Sequence, residues 1–195
     1  MIDTGHVTGE LFGFVNIPQA VWIDESGTLV RPAEAATIER SPLREMEIPE
    51  GLPERIDKML REVKKIPDIA DDYRAAIADW VEHGAGSRFA LSPDEVVERS
   101  QPRSTDHARA AACFELGQHL FHTVGHEAAV PWWRQAHELF PENWTYKRQA
   151  WTLVTTESGQ ENDLMQGPND VYTGNWLDDV VASGGGEAYA VVPQL

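Results

Sequence analysis

The chain has 195 residues, 42% hydrophobic and 25% charged, with a single cysteine. That is material for one ordinary domain or two small ones, and too apolar a balance for wholesale disorder. Its 32 acidic residues against 16 basic ones, a net charge of -16, argue against a nucleic-acid binder or a protein held on an anionic membrane surface, since both need clustered Lys and Arg.

No basic run exceeds a pair such as Lys64-Lys65. No stretch approaches the roughly 18 consecutive apolar residues of a membrane span. The start, Met1-Ile2-Asp3-Thr4, has neither the positive charge nor the apolar core of a signal peptide. One cysteine, Cys113, allows no disulfide within the chain and no multi-cysteine zinc site. A reducing cytoplasm is the expected compartment.

In chain order, Val7 to Phe12 predicts a short amphipathic helix stopped by Gly13. Asn16 to Asp24 is rich in strand formers. Glu25-Ser26-Gly27 forms a turn and Thr28 to Arg31 a return strand, so an antiparallel hairpin is expected. Its charge is almost confined to the turn, which predicts a largely buried pair. Pro32, Pro42, Pro49 and Pro53 mark a connector.

Glu54 to Lys65 predicts a helix with Ile56, Met59, Leu60 and Val63 on one side, ended by Pro67. Asp71 to His83 predicts another, with Tyr73, Ile77, Trp80 and Val81 at helical spacing and Gly84 as its stop. Ser92-Pro93-Asp94-Glu95 is a helix start with a capping box. Helices follow over Asp106–Val124, Glu127–Phe140 and Trp144–Thr155, broken by Gly125 and Pro141. After Arg148 there is no Lys or Arg, and seven acids lie between Glu157 and Glu187. With Gly184-Gly185-Gly186 near its end, this part is expected to be a solvated, loosely ordered acidic tail.

Residues 110–143 resemble one tetratricopeptide repeat, a helix pair of about 34 residues. Cys113, Leu116, Gly117, Leu120, Ala129, Trp133, Ala136 and Pro141 stand at the family's spaced positions. The resemblance implies that Gly117 and Ala129 let two antiparallel helices approach closely. Leu120 and Trp133 would fill the space between them. The preceding stretch, with Glu82, His83 and Arg99 at the key offsets, does not fit. A lone repeat needs a neighbour to stack on. Such repeats bind peptides, so Leu116, Leu120, Trp132 and Trp133 are the candidate groove residues. The alternative is a helix pair that only packs on a core.

Residues 13–30, with Val15-Asn16-Ile17-Pro18, then Ile23-Asp24, a Gly27 turn and a return strand, resemble the second half of a thioredoxin-like domain of the thiol-disulfide and peroxide-reducing branch. The resemblance implies a cis-proline at Pro18 and a substrate-positioning backbone at Ile17. It implies no catalytic residue in this chain, because no cysteine precedes Pro18. Cys113, on an inward repeat position, is expected to be structural. A hairpin alone is marginal in water. These points together give the expectation that Met1 is not the native start and that a Cys or selenocysteine lies upstream.

Metal ligation is not expected. His119 and His122 share a helix, but Gly125 breaks it before His126. His6 would be a helix-start residue. Asp71-Asp72 and Asp178-Asp179 are adjacent acids whose side chains diverge. Asn143-Trp144-Thr145 is a glycosylation sequon without an export signal. There is no glycine-rich phosphate loop, no Gly-x-Ser-x-Gly and no His-Glu-x-x-His.

The expected fold is α+β and mostly helical. Four segments are expected: a partial thioredoxin-like segment over 1–40, connector and helices over 41–103, a tetratricopeptide-like region over 104–158 and the acidic tail over 159–195. The expected function is part of a thiol-disulfide or peroxide-reducing protein whose redox residue is missing here. The alternative is a non-enzymatic interaction module using the helical groove. No cofactor is implied. A protein or peptide partner is expected, no nucleic acid and no membrane, with dimerisation through the hairpin edge a further option.

Overall fold

Local capping signals set most helix boundaries in the computed structural model, which describes residues 6–100, 102–150 and 168–195. Helix α1 (Val7–Phe12) ends where Gly13 turns left-handed at φ 74°. Helix α2 (Glu54–Lys65) carries Glu54 and Asp57 in its first turn and Lys64 and Lys65 in its last, the arrangement the helix dipole favours. Helix α3 (Ala70–His83) runs to Gly84. Helix α4 (Pro93–Arg99) has the predicted capping box. The Ser92 hydroxyl accepts from the Glu95 N–H, and the Glu95 carboxylate accepts from the Ser92 N–H at 2.8 Å.

Helix α5 (Thr105–Thr123) is capped by Ser104, and α6 (His126–Leu139) starts after Gly125 at φ 132°. In helix α7 (Trp144–Gln149) the Asn143 side chain accepts from the N–H groups of Thr145 and Tyr146. The predicted extension of this helix to Thr155 lies, beyond Ala150, outside the described residues. Helix α8 spans Trp176–Ala182. The described residues are thus mostly helical, with one two-stranded antiparallel sheet.

The strands are β1 (Gln19–Ile23) and β2 (Leu29–Ala35). Asp24 builds the turn: one carboxylate oxygen accepts from the N–H groups of Ser26 and Thr28 and from the Ser26 hydroxyl. Strand β2 is longer than the sequence suggests and runs through Pro32. The register shifts between Ala20 and Trp22, and again between Trp22 and Ile23. A proline lacks the ladder N–H, and such irregular, edge positions are where it is tolerated. Nor is the pair largely buried. Only Trp22 and Arg31 are buried, and the rest is half-buried or exposed.

The chain folds into two bodies. The first is drawn from Met1–Ile17 with Pro102–Trp176, the second from Pro18–Gln101 with Leu177–Leu195.

In the first body, Ala110 and Phe114 of α5, Ala129, Trp133 and Ala136 of α6, Tyr146 of α7, Ala150 and Val171 form the core. Helices α5 and α6 run antiparallel, with Cys113 opposite Gln135 and Gly117 against Trp133. A Cβ at Gly117 would sit 2.6 Å from Cδ1 and Nε1 of the Trp133 ring. Only glycine fits that approach. The N-terminal segment joins this body through polar contacts. The Trp144 N–H donates to the Val15 carbonyl at 2.7 Å, and Arg148 donates to the Asn16 side chain at 2.8 Å. The Tyr146 hydroxyl donates to Glu10 at 2.5 Å, and Arg103 pairs with the same carboxylate at 3.1 Å.

In the second body, Trp22, Tyr73, Ala76 and Phe89 form the core, with Val30, Ile69, Ile77 and Trp80 against it. Val81, expected on the inner side of α3, is 77% exposed. It lies about 100° around the helix from Trp80, and the core takes the other side. Arg31 is buried and fully engaged. Its guanidinium forks onto Glu34 with two bonds of 2.8 Å, and donates to the carbonyls of Phe89 and Gln194. Tyr73 donates to Glu34 at 3.1 Å and accepts from the Trp22 indole at 2.8 Å. Burial pushes the Tyr73 hydroxyl up to about 12, so it remains a donor. A buried charge is tolerable when paired and saturated in this way.

Residues 168–195 differ from a solvated tail. Val171, Asn175 and Trp176 are buried in the first body, and Leu177, Val180 and Gly186 in the second. Gly184 and Gly185 adopt positive φ. Gly186 presses on α2 so closely that a Cβ would fall 1.9 Å from the Glu62 carbonyl oxygen. Its N–H donates to the Glu62 carboxylate at 2.8 Å. The glycine run supplies close approach rather than looseness.

Candidate functional site

The candidate groove residues separate by role. Trp133 is 4% exposed and belongs to the core, so it is not on an open face. Its neighbour Trp132 is 37% exposed. Adjacent helix positions diverge by about 100°, so one of the two indoles must turn away from the core. Leu116 and Leu120 are half-buried on α5, outside the cluster of buried core residues. With the exposed Val124 they are spaced four apart, which places them on one stripe.

The two positioning residues of the thioredoxin-like reading lie at a local turn. Ile17 is 63% exposed, and its N–H donates to the Asn16 side chain at 2.8 Å. The Pro18 carbonyl accepts from the Ala36 N–H at 3.1 Å. Cys113 is half-buried against the first body's core, and its thiol meets the Gln135 side-chain oxygen at 3.5 Å.

The first body also holds a polar cluster that sequence reasoning missed. A cavity of about 10 Å³ is lined by Phe114, Trp133, His137, Tyr146, Gln149 and Val171, with Ala150 closing it. Around it, His137 stacks on Tyr172 with ring centres 4.9 Å apart. The Lys147 ammonium lies 4.4 Å from the Trp144 ring centre and 5.5 Å from that of Tyr172, within cation–π range. Burial, and then the Lys147 charge, push the His137 imidazole down to about 4. It is therefore neutral at pH 7. Burial and the Glu10 contact push the Tyr146 hydroxyl well above its usual range.

A second pair lies at the start of α6. His126 Nε2 meets Asp170 Oδ2 at 2.5 Å, and Arg134 donates to the Asp170 carbonyl at 2.7 Å. Asn169 donates to the Ala150 carbonyl at 2.9 Å. An imidazole oriented by a carboxylate is the form of a general base. Here, however, the other ring nitrogen is closed off from solvent. The pair acts as a clasp holding 169–172 on the helices.

Among the described residues no grouping of His, Cys, Asp and Glu could hold a metal ion, and no helix is long and apolar enough to cross a membrane. The one signal for the polar cluster was His137, four residues after Trp133 and so on the same inward face. Gln149 and the 169–172 segment reach it only through tertiary packing. No protein-family model, curated protein or solved structure matches the chain.

Proposed function

We propose that the chain is a non-enzymatic interaction module whose first body binds a peptide along the open side of α5 and α6. The observation that carries this is Trp132. It leaves an aromatic surface accessible on the helix pair, while the neighbouring Trp133 is buried in the core. Tryptophan is among the residue types enriched at the energetic anchors of binding surfaces. The net charge of -16 favours a basic peptide. The test is selection of a peptide from a displayed library, followed by anisotropy titration. Trp132→Ala should weaken binding by roughly 30-fold, the scale of a 2 kcal/mol anchor. Pro18→Ala should leave it unchanged. Equal binding by the Trp132→Ala protein would refute this function.

A second reading is favoured by the hairpin, whose first strand and turn lie within residues 13–30, the stretch that resembles a thioredoxin-like domain. Under it the chain is part of a thiol-disulfide or peroxide-reducing protein. Its nucleophile is a Cys or selenocysteine other than Cys113. The intact mass of the protein from its native host tests it. A larger mass, with such a residue in the added sequence, would support the redox reading.

A further inference from the structure

Three buried polar atoms have no hydrogen-bond partner and belong to side chains in the wall of one cavity: Trp133 Nε1, His137 Nδ1 and Gln149 Oε1. Each comes from a different turn of α6 or from the end of α7. Trp133 and His137 are both more than nine-tenths buried. A buried polar atom left unpaired costs about 1–3 kcal/mol. Three on side chains that line one small space would be a heavy penalty for a domain of this size. The cavity measures about 10 Å³, which is about the room one water molecule needs.

We propose that this cavity is a binding site for a single internal water that joins α6 to α7. The chemistry of the three atoms selects the ligand. The Trp133 N–H can only donate, and the Gln149 oxygen can only accept. A chloride ion would satisfy the indole and be repelled by the amide oxygen. A cation would do the reverse, and the nearby Lys147 ammonium disfavours it further. Water alone both accepts and donates within this volume. It accepts from Trp133, donates to Gln149, and takes His137 Nδ1 as its third partner, which matches the usual three bonds of a buried water. The rest of the wall, Phe114, Tyr146 and Val171, is ring or aliphatic surface that confines it.

The test uses the whole chain in solution. Water-selective NMR on the ¹⁵N-labelled protein should show a cross-peak from a long-lived water to the Trp133 indole proton. In ¹⁷O relaxation dispersion, Gln149→Met should lose one long-lived water relative to wild type. An indole proton with no water contact in the wild type would overturn the site. So would an unchanged dispersion in a folded Gln149→Met protein. If that variant does not fold, the wild-type cross-peak decides alone.

Discussion

His137 is the residue whose setting has the clearest consequence in solution. Its folded pKa, about 4, lies below the ordinary value of 6.5 because burial and Lys147 oppose the charged form. Between those two values the unfolded chain binds a proton that the folded chain does not. Stability therefore rises with pH across this window. Its contribution falls as the pH drops from about 6.5 to about 4, by a total of about 3 kcal/mol. Urea unfolding followed between pH 7.5 and 4.5 should show this loss. His137→Gln should remove most of the difference, because the amide does not titrate. Parallel pH profiles for the two proteins would show that His137 is not the group responsible. Arg31 makes the contrasting case: it is buried, and four hydrogen bonds engage its guanidinium.

Among the elements, the α5–α6 contact depends on the space of a single atom. Gly117→Ala would place a methyl 2.6 Å from the Trp133 ring, and neither the rigid indole nor the helix backbone can give way cheaply. Overpacking of this kind destabilises by about 1–3 kcal/mol. A thermal melt should register it as a lower Tm with the helical signal at low temperature retained. Much of this layer could be read from the chain. The cap at Ser92 and the stops at Gly13 and Gly84 are local chemistry, and local chemistry is visible in order. The close approach at Gly117 was expected too, but only through the resemblance to a tetratricopeptide repeat, and its partner Trp133 was not. The passage of β2 through Pro32 was hidden, since it depends on the extra residues that β2 carries where its register with β1 shifts. The packing of Gly186 on Glu62 was hidden for a similar reason: a glycine run looks the same whether it serves mobility or contact. The cavity was the least legible feature, because its wall is assembled from residues that meet only after α6, α7 and Val171 have come together.

At the scale of the molecule, each body is made from two separated stretches of chain. Residues 177–195 are integral to the second body. They supply the buried Leu177 and Val180, the Gly186 N–H on Glu62 and the Gln194 carbonyl on Arg31. Each apolar side chain contributes about 1.5–3 kcal/mol, and the small stability of a domain leaves little beyond their sum. Deleting 177–195 should collapse the NMR signals of residues 18–100 toward unfolded positions and spare those of 105–150. A spectrum in which both sets stay dispersed would contradict that division.

The interleaving also fixes an order of events during synthesis. Glu10 waits for Tyr146, 136 positions later; Glu62 waits for Gly186, 124 later; Arg31 waits for Gln194, 163 later. While a ribosome is still translating the middle of the chain, the hairpin and the buried arginine have no finished surroundings. Contacts so distant in sequence close slowly, and the nascent chain exposes an unpaired strand edge in the meantime. The second body therefore closes only once residues 177–194 have been made, because Arg31 and Glu62 find their partners there.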